Sequence, residues 1–132
     1  MMIHCRVVTP TGIYKEFDTP ILNLDTEDGE RGILPNHMPI VTMLKIGMLD
    51  SIENDVRTYY AVAGGLFYFR DNQAEIITPA IEQREEIDAA RAERAKMRAE
   101  KRLSSDNPNI DQKRAEVALK RALNRLHVSE YK

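Results

Sequence analysis

The run Ile87-Asp88-Ala89-Ala90-Arg91-Ala92 divides this sequence into two parts of different make-up. It opens a stretch rich in Ala and Arg, both strong helix formers. Upstream, residues 1–81 hold all six Gly, five of the six Pro and most of the Val, Ile, Phe and Tyr, which suits short strands and turns. Residues 82–132 contain no Gly and one Pro. A chain of 132 residues has room for one domain, or for one compact unit with an appendage, but hardly for two large cores. The order of composition favours the appendage.

Charge changes at the same place. Residues 1–81 carry 6 Lys+Arg against 11 Asp+Glu, and residues 82–132 carry 13 against 10, within a whole-chain formal charge of -2. That split is too mild for a nucleic-acid tail, but large enough to orient a basic half towards an acidic partner or an anion. The single Cys5 excludes an internal disulfide, and no Cys or His lies near it with metal-ligand spacing, so a reduced, cytosol-facing compartment is expected. No apolar run approaches the ~20 residues needed to span a bilayer. The start Met1-Met2-Ile3-His4-Cys5-Arg6 lacks a signal-peptide core, so membrane association is expected only through partners.

Outward from the dividing run, the first part reads as short strands between turns. Ile3 to Thr9 ends at Pro10-Thr11-Gly12, Ile21 to Leu24 gives way to Asp25 to Gly29, and Met38 to Leu44 follows Pro35-Asn36-His37. Gly47 to Ile52, Arg57 to Val62, Leu66 to Arg70 and Ala74 to Thr78 follow, with Asn54-Asp55 and Asp71-Asn72 as hairpin turns. Closely spaced strands with no helical period between them predict an antiparallel β-sandwich or barrel. Gly64-Gly65 lacks the Lys-Ser/Thr and the helix of a phosphate loop, so a bulge or tight bend is expected there.

After Pro79 the period becomes helical. Asp88, Ala92, Ala95, Ala99 and Leu103 share one stripe, and Ala115, Ala118, Leu119, Ala122 and Leu126 share another. Ser104 to Asn109 is dense in turn residues, and Asn109 with Gln112 resembles a capping box. The expected whole is α+β: an antiparallel sandwich over 1–84, then an antiparallel two-helix hairpin over 85–132. Stripes of alanine let helices approach closely yet bury little area, so the hairpin is expected to fold conditionally, docked in one state and open in another.

The chemistry available is binding rather than catalysis. Arg91, Arg98 and Arg102 project roughly 40 to 80° from the first alanine stripe, and Arg114, Arg121 and Arg125 roughly 80 to 120° to one side of the second, with Lys113 on the opposite side of that stripe from Arg121. If those flanks converge, mutual repulsion opposes closure and a bridging phosphate reverses it, because guanidinium forks suit phosphate oxygens. The competing reading is a solvated face paired at i, i+4 with acids such as Glu93 and Glu116. Asp88, Glu82, Glu85 and Glu86 also suit a helix N-terminus. His4, His37 and His127 are scattered and read as surface or turn residues, and no catalytic or metal-binding constellation is present.

Four segments carry a family likeness. Gly29 to Val41 (GERGILPNHMPIV), Ala61 to Phe67 (AVAGGLF), Ile87 to Ala92 and Lys113 to Leu126 (KRAEVALKRALNRL) together resemble the epsilon subunit of bacterial rotary F-type ATP synthases, essentially along the whole chain. The resemblance implies a non-catalytic subunit of the central stalk, peripheral at the cytoplasmic face of the bacterial cell membrane. Its sandwich would bind the gamma subunit and the c-ring. Its hairpin, extended along gamma towards the alpha and beta subunits, would inhibit ATP hydrolysis. No nucleic-acid partner and no direct membrane insertion are implied.

Members of the bacillus type also bind ATP between sandwich and folded hairpin, through a motif written Ile/Leu-Asp-x-x-Arg-Ala that Ile87, Asp88, Arg91 and Ala92 match. By resemblance, Ile87, Asp88 and Ala92 would contact adenine and Glu82 would lie beside the base or sugar. Arg91, Arg98, Arg121 and Arg125 would hold phosphates, with Lys113 and Arg114 as further contributors. No cofactor would be required; ATP would be a regulatory ligand, with or without Mg2+, favouring the folded, non-inhibitory state. Two alternatives are a purely structural rotor subunit without nucleotide sensing, and an unrelated module holding RNA or acidic peptides. The helices have no aromatic residue before Tyr131 on which bases could stack, which counts against RNA.

Overall fold

The computed structural model describes residues 1–132, which divide into two compact units, Met1–Gln83 and Arg84–Lys132. In the first, β1 (Ile3–Thr9), β2 (Gly12–Thr19), β3 (Leu22–Thr26), β4 (Gly29–Ile33), β5 (Ile40–Glu53), β6 (Val56–Arg70) and β7 (Gln73–Ile77) pair in the order β2-β1-β7-β6-β5-β3-β4, and β8 (Ile81–Gln83) pairs with β6. Every pairing is antiparallel except β1 with β7. The sheet closes over itself as a sandwich, so that the Ile52 amide reaches the Thr19 hydroxyl at 2.9 Å.

Closure depends on an inversion inside the two longest strands. Along β6 the buried positions run Thr58, Tyr60, Val62, then change parity to Phe67 and Phe69. Along β5 they run Leu44, then Gly47, Leu49 and Ser51. Since side chains alternate across a strand, a change of parity turns the opposite face inward. The change falls at Gly64 and Gly65, both at positive φ (86° and 125°). A Cβ on Gly65 would sit 2.0 Å from the Ile77 carbonyl oxygen, so only glycine fits. The expected bend at this pair is present, and it lets one hairpin serve both layers. Ile3, Val7, Leu22, Ile33, Phe67 and Ile76, all 0% exposed, form the core around it.

Sequence boundaries differ from the structure where this bend and the sheet edges intervene. Met38–Leu44 and Gly47–Ile52 are parts of one strand, β5, and Arg57–Val62 and Leu66–Arg70 are parts of β6. β2, β4 and β8 are additional. β2 buries only Phe17 and Thr19, and β4 only Ile33, so neither shows apolar alternation. Asn54-Asp55 and Asp71-Asn72 do form the turns, with all four residues at positive φ.

The second unit is a helical hairpin: after a short turn at Arg84–Glu86, α1 spans Ala89–Leu103 and α2 spans Gln112–Glu130. Its buried residues are Ala92 and Ala99 on α1 and Ala115 and Ala122 on α2, all members of the expected alanine stripes, together with Val128, which lies outside them. Asp88 caps α1, accepting from the Arg91 amide at 3.0 Å. The cap of α2 is Asp111, accepting from Arg114 N at 3.1 Å, rather than Asn109. Asn109 is instead drawn into the connection, where its amide donates to the Asn107 side chain at 2.9 Å.

Candidate functional site

Within the hairpin unit, α2 returns along α1, and Arg84 Nη1 donates to the Tyr131 carbonyl at 2.9 Å, joining the two ends of the unit. The start of α1 therefore lies near the end of α2. This brings Ile87, Asp88, Arg91 and Ala92 to the same end as Arg125, with Arg98 and Arg121 at mid-length. Lys113 and Arg114 lie in the first turn of α2, at the other end. Eleven residues separate Arg114 from Arg125, about 16 Å at a rise of about 1.5 Å per residue. One phosphate cannot meet both.

The side chains of Arg91, Arg98, Arg114 and Arg121 are exposed and form no ion pair, while Glu93 meets Lys96 at 3.7 Å. The guanidinium groups are therefore not neutralised by acids of their own helices, and exposed forked donors of this kind fit phosphate oxygens. Ala92 is fully buried, so its methyl serves helix packing. Asp88 spends one carboxylate oxygen on its cap. Glu82 belongs to the other unit, half-buried in β8 opposite Ala61.

The sandwich carries a second feature, which sequence reasoning missed. Register places Met43, Leu66, Ile77, Val8 and Ile13 side by side across five neighbouring strands, an apolar row on the outer face. Met43, Ile77 and Ile13 are 49, 40 and 57% exposed. Beside it runs Val41, Tyr68, Glu75, Arg6 and Glu16, lining an open groove of about 810 Å³. Exposed apolar surface of this continuity marks a docking face. A signal existed in Ile40 to Leu44, where apolar residues occupy both faces of the strand instead of alternating.

His4 lies on the same face. Its Nδ1 stands 2.9 Å from Asp18 and its Nε2 3.2 Å from Glu16. Only imidazolium donates from both nitrogens, and the bonds to Asp18 and then Glu16 raise its pKa. His4 is therefore a bridging group rather than a plain surface residue. No group of three His, Cys, Asp or Glu side chains comes together to hold a metal ion, and no helix is long and apolar enough to cross a membrane.

Two family models match, one on each side of the dividing run: ATP synthase, Delta/Epsilon chain, beta-sandwich domain, over residues 2–84, and ATP synthase, Delta/Epsilon chain, long alpha-helix domain, over residues 85–130. The ATP synthase epsilon chain of Ligilactobacillus salivarius is 43% identical over 130 residues, covering 96% of this chain and 94% of the relative. That of Bacillus cytotoxicus is 41% identical over 126 residues, covering 96 and 95%. Among solved structures, a chain of the Euglena gracilis mitochondrial ATP synthase OSCP/F1/c-ring assembly superposes with a TM-score of 0.77 at 23% identity, covering 90% of this chain and 76% of that one. A chain from the Tetrahymena thermophila mitochondrial ATP synthase central stalk and c-ring gives 0.62 at 17%, covering 96 and 95%. At such identities the two structures speak for the fold alone.

Proposed function

Because the chain belongs to the ATP synthase delta/epsilon family through both its sandwich and its helices, we propose that it is a non-catalytic rotor subunit of the central stalk of a bacterial proton-translocating F-type ATP synthase. It sits with its complex at the cytoplasmic face of the cell membrane. Its sandwich joins the gamma subunit to the c-ring, and the apolar row Met43-Leu66-Ile77-Val8-Ile13 is the surface best suited to gamma.

The hairpin is the regulatory part. The observation that carries this reading is that its buried residues are four alanines and one valine, while Arg91, Arg98, Arg114 and Arg121, which form no ion pair, line its exterior. Little apolar area opposes opening, and like charges favour it. Extended, the hairpin engages the alpha and beta subunits and restrains ATP hydrolysis; folded, it releases them. ATP, when bound, supplies negative charge that favours the folded state. Arg91, Arg98, Arg121 and Arg125 hold its phosphates, and Ile87, Asp88 and Glu82 hold its base and sugar, while Ala92 packs inside the hairpin. Lys113 and Arg114, at the far end of α2, contribute to the field rather than to direct contact. ATP shifts the equilibrium only by its differential affinity for the folded form.

Calorimetric titration of ATP, with ADP as comparison and with and without Mg2+, into the isolated full chain and an Arg91→Ala, Arg125→Ala variant tests this. Binding by the unsubstituted chain that is lost in the variant is the expected result. No heat at millimolar ATP would make the hairpin an ATP-insensitive brake or brace.

A further inference from the structure

One end of the sandwich holds a polar cluster that neither the docking face nor the arginines explain. Lys15 pairs with Val7 in the β1–β2 register, a row that faces the core, so its stem runs inward. Its ammonium lies 2.8 Å from Glu53 Oε1, donates to the Tyr60 hydroxyl at 2.9 Å and donates to Gln83 Oε1 at 3.2 Å. An ammonium has three protons, and here each finds an acceptor on a different strand: β5, β6 and β8. Tyr60, 0% exposed, donates in turn to Glu53, as does Ser51 at 2.7 Å. Lys15 also stands over the Tyr60 ring, 5.3 Å from its centroid.

The strand gripped by this cluster is the shortest in the sheet. β8 is three residues long and pairs with β6 alone, through Tyr60–Gln83, Ala61–Glu82 and Val62–Ile81. So short a ladder frays unless side chains hold its end. Gln83 is held twice, its amide donating to the Tyr14 hydroxyl at 3.2 Å and its side chain accepting from Lys15. Both holding residues come from β2. Glu82, immediately before Gln83, is the sandwich residue assigned to the nucleotide.

We infer that Lys15 is a positioning residue for the regulatory nucleotide: through Gln83 it holds β8, and with it Glu82, in the conformation that binds ATP. The inference rests on the nucleotide reading proposed above. Lys15 itself touches no ligand; it removes the ordering that binding would otherwise require, and preorganisation of this kind appears as affinity.

The test compares the full chain with Lys15→Met, Gln83→Met and the double variant, using MgATP titration and amide hydrogen exchange. Methionine keeps the buried stem of Lys15 while removing its donors, and Gln83→Met cuts the same link without disturbing Glu53. Each single variant should bind ATP about fivefold or more weakly. The double should lose no more than either single, because both break one connection. Exchange should quicken at Ile81 to Gln83 while the amides of Phe67 and Phe69 keep their protection, a pattern that general destabilisation would not give. Unchanged ATP affinity in both single variants, beside a binding unsubstituted chain, overturns the positioning role alone. Absence of binding by the unsubstituted chain overturns the nucleotide reading and the positioning role with it.

Discussion

Glu53 shows how one residue can carry opposed effects. Burial is the largest influence and pushes its carboxyl up, but hydrogen bonds from Lys15, Tyr60 and Ser51 together outweigh it, and the pKa falls below the ordinary value of 4.5. A depressed folded pKa stabilises the fold above the unfolded value, and that contribution disappears as pH falls through the folded one. Urea unfolding should therefore show Glu53→Gln to be destabilising at neutral pH, with the difference from the unsubstituted chain shrinking in acid below about pH 4.5. Gly65→Ala tests a different limit. The new methyl would need to occupy space 2.0 Å from the Ile77 carbonyl oxygen, at φ 125°. A loss of roughly 3 kcal/mol or more is expected in the same measurement, because neither the backbone oxygen nor the strained φ can relax cheaply. A loss below 1 kcal/mol would mean that the bend can be built without glycine. The two differ in legibility: the Gly-Gly pair announces a bend in sequence, though its tight approach to Ile77 does not show there, and Glu53 acquires its role only beside Lys15.

Among the elements, the helices were far more legible than the strands. Ala92, Ala99, Ala115 and Ala122 are buried as their spacing requires, since a helical stripe is set by residues three and four apart. Caps depend on finer geometry, which is why Asp111 and not Asn109 starts α2. Asp111→Ala should cost about 1 kcal/mol of hairpin stability and be visible as a loss of helical circular dichroism on heating, while Asn109→Ala should change little. The outer sheet face allows a second check at this scale. Ile77→Asp would place a charge in the middle of the apolar row yet outside the core, Ile77 being 40% exposed. The sandwich should stay folded while copurification with gamma is lost; retention of gamma would place the docking surface elsewhere.

At the scale of the whole molecule, two units with separate cores lie on one chain, and the Ile87-Ala92 run, which caps and starts α1, sits just inside the second. Removing residues 84–132 should leave a sandwich that unfolds cooperatively on its own, because its core, from Ile3 to Ile81, is built from the strands' own side chains. Within the assembled complex the same deletion should raise ATP hydrolysis at low ATP; unchanged hydrolysis would remove the inhibitory role. By itself the sequence determined the division into strands and helices, the turns at Asn54-Asp55 and Asp71-Asn72, the need for a bend at Gly64-Gly65 and the family motifs. Each depends on residues within a few positions of one another, through positive φ, helical period or a contiguous pattern. Tertiary structure alone decided the face inversion of β5 and β6, the edge strands β2, β4 and β8, the exposed apolar row and the Lys15 cluster. Those depend on register between distant segments: Lys15 meets Tyr60 across 45 positions and Gln83 across 68. No local rule connects such residues until the sheet has closed.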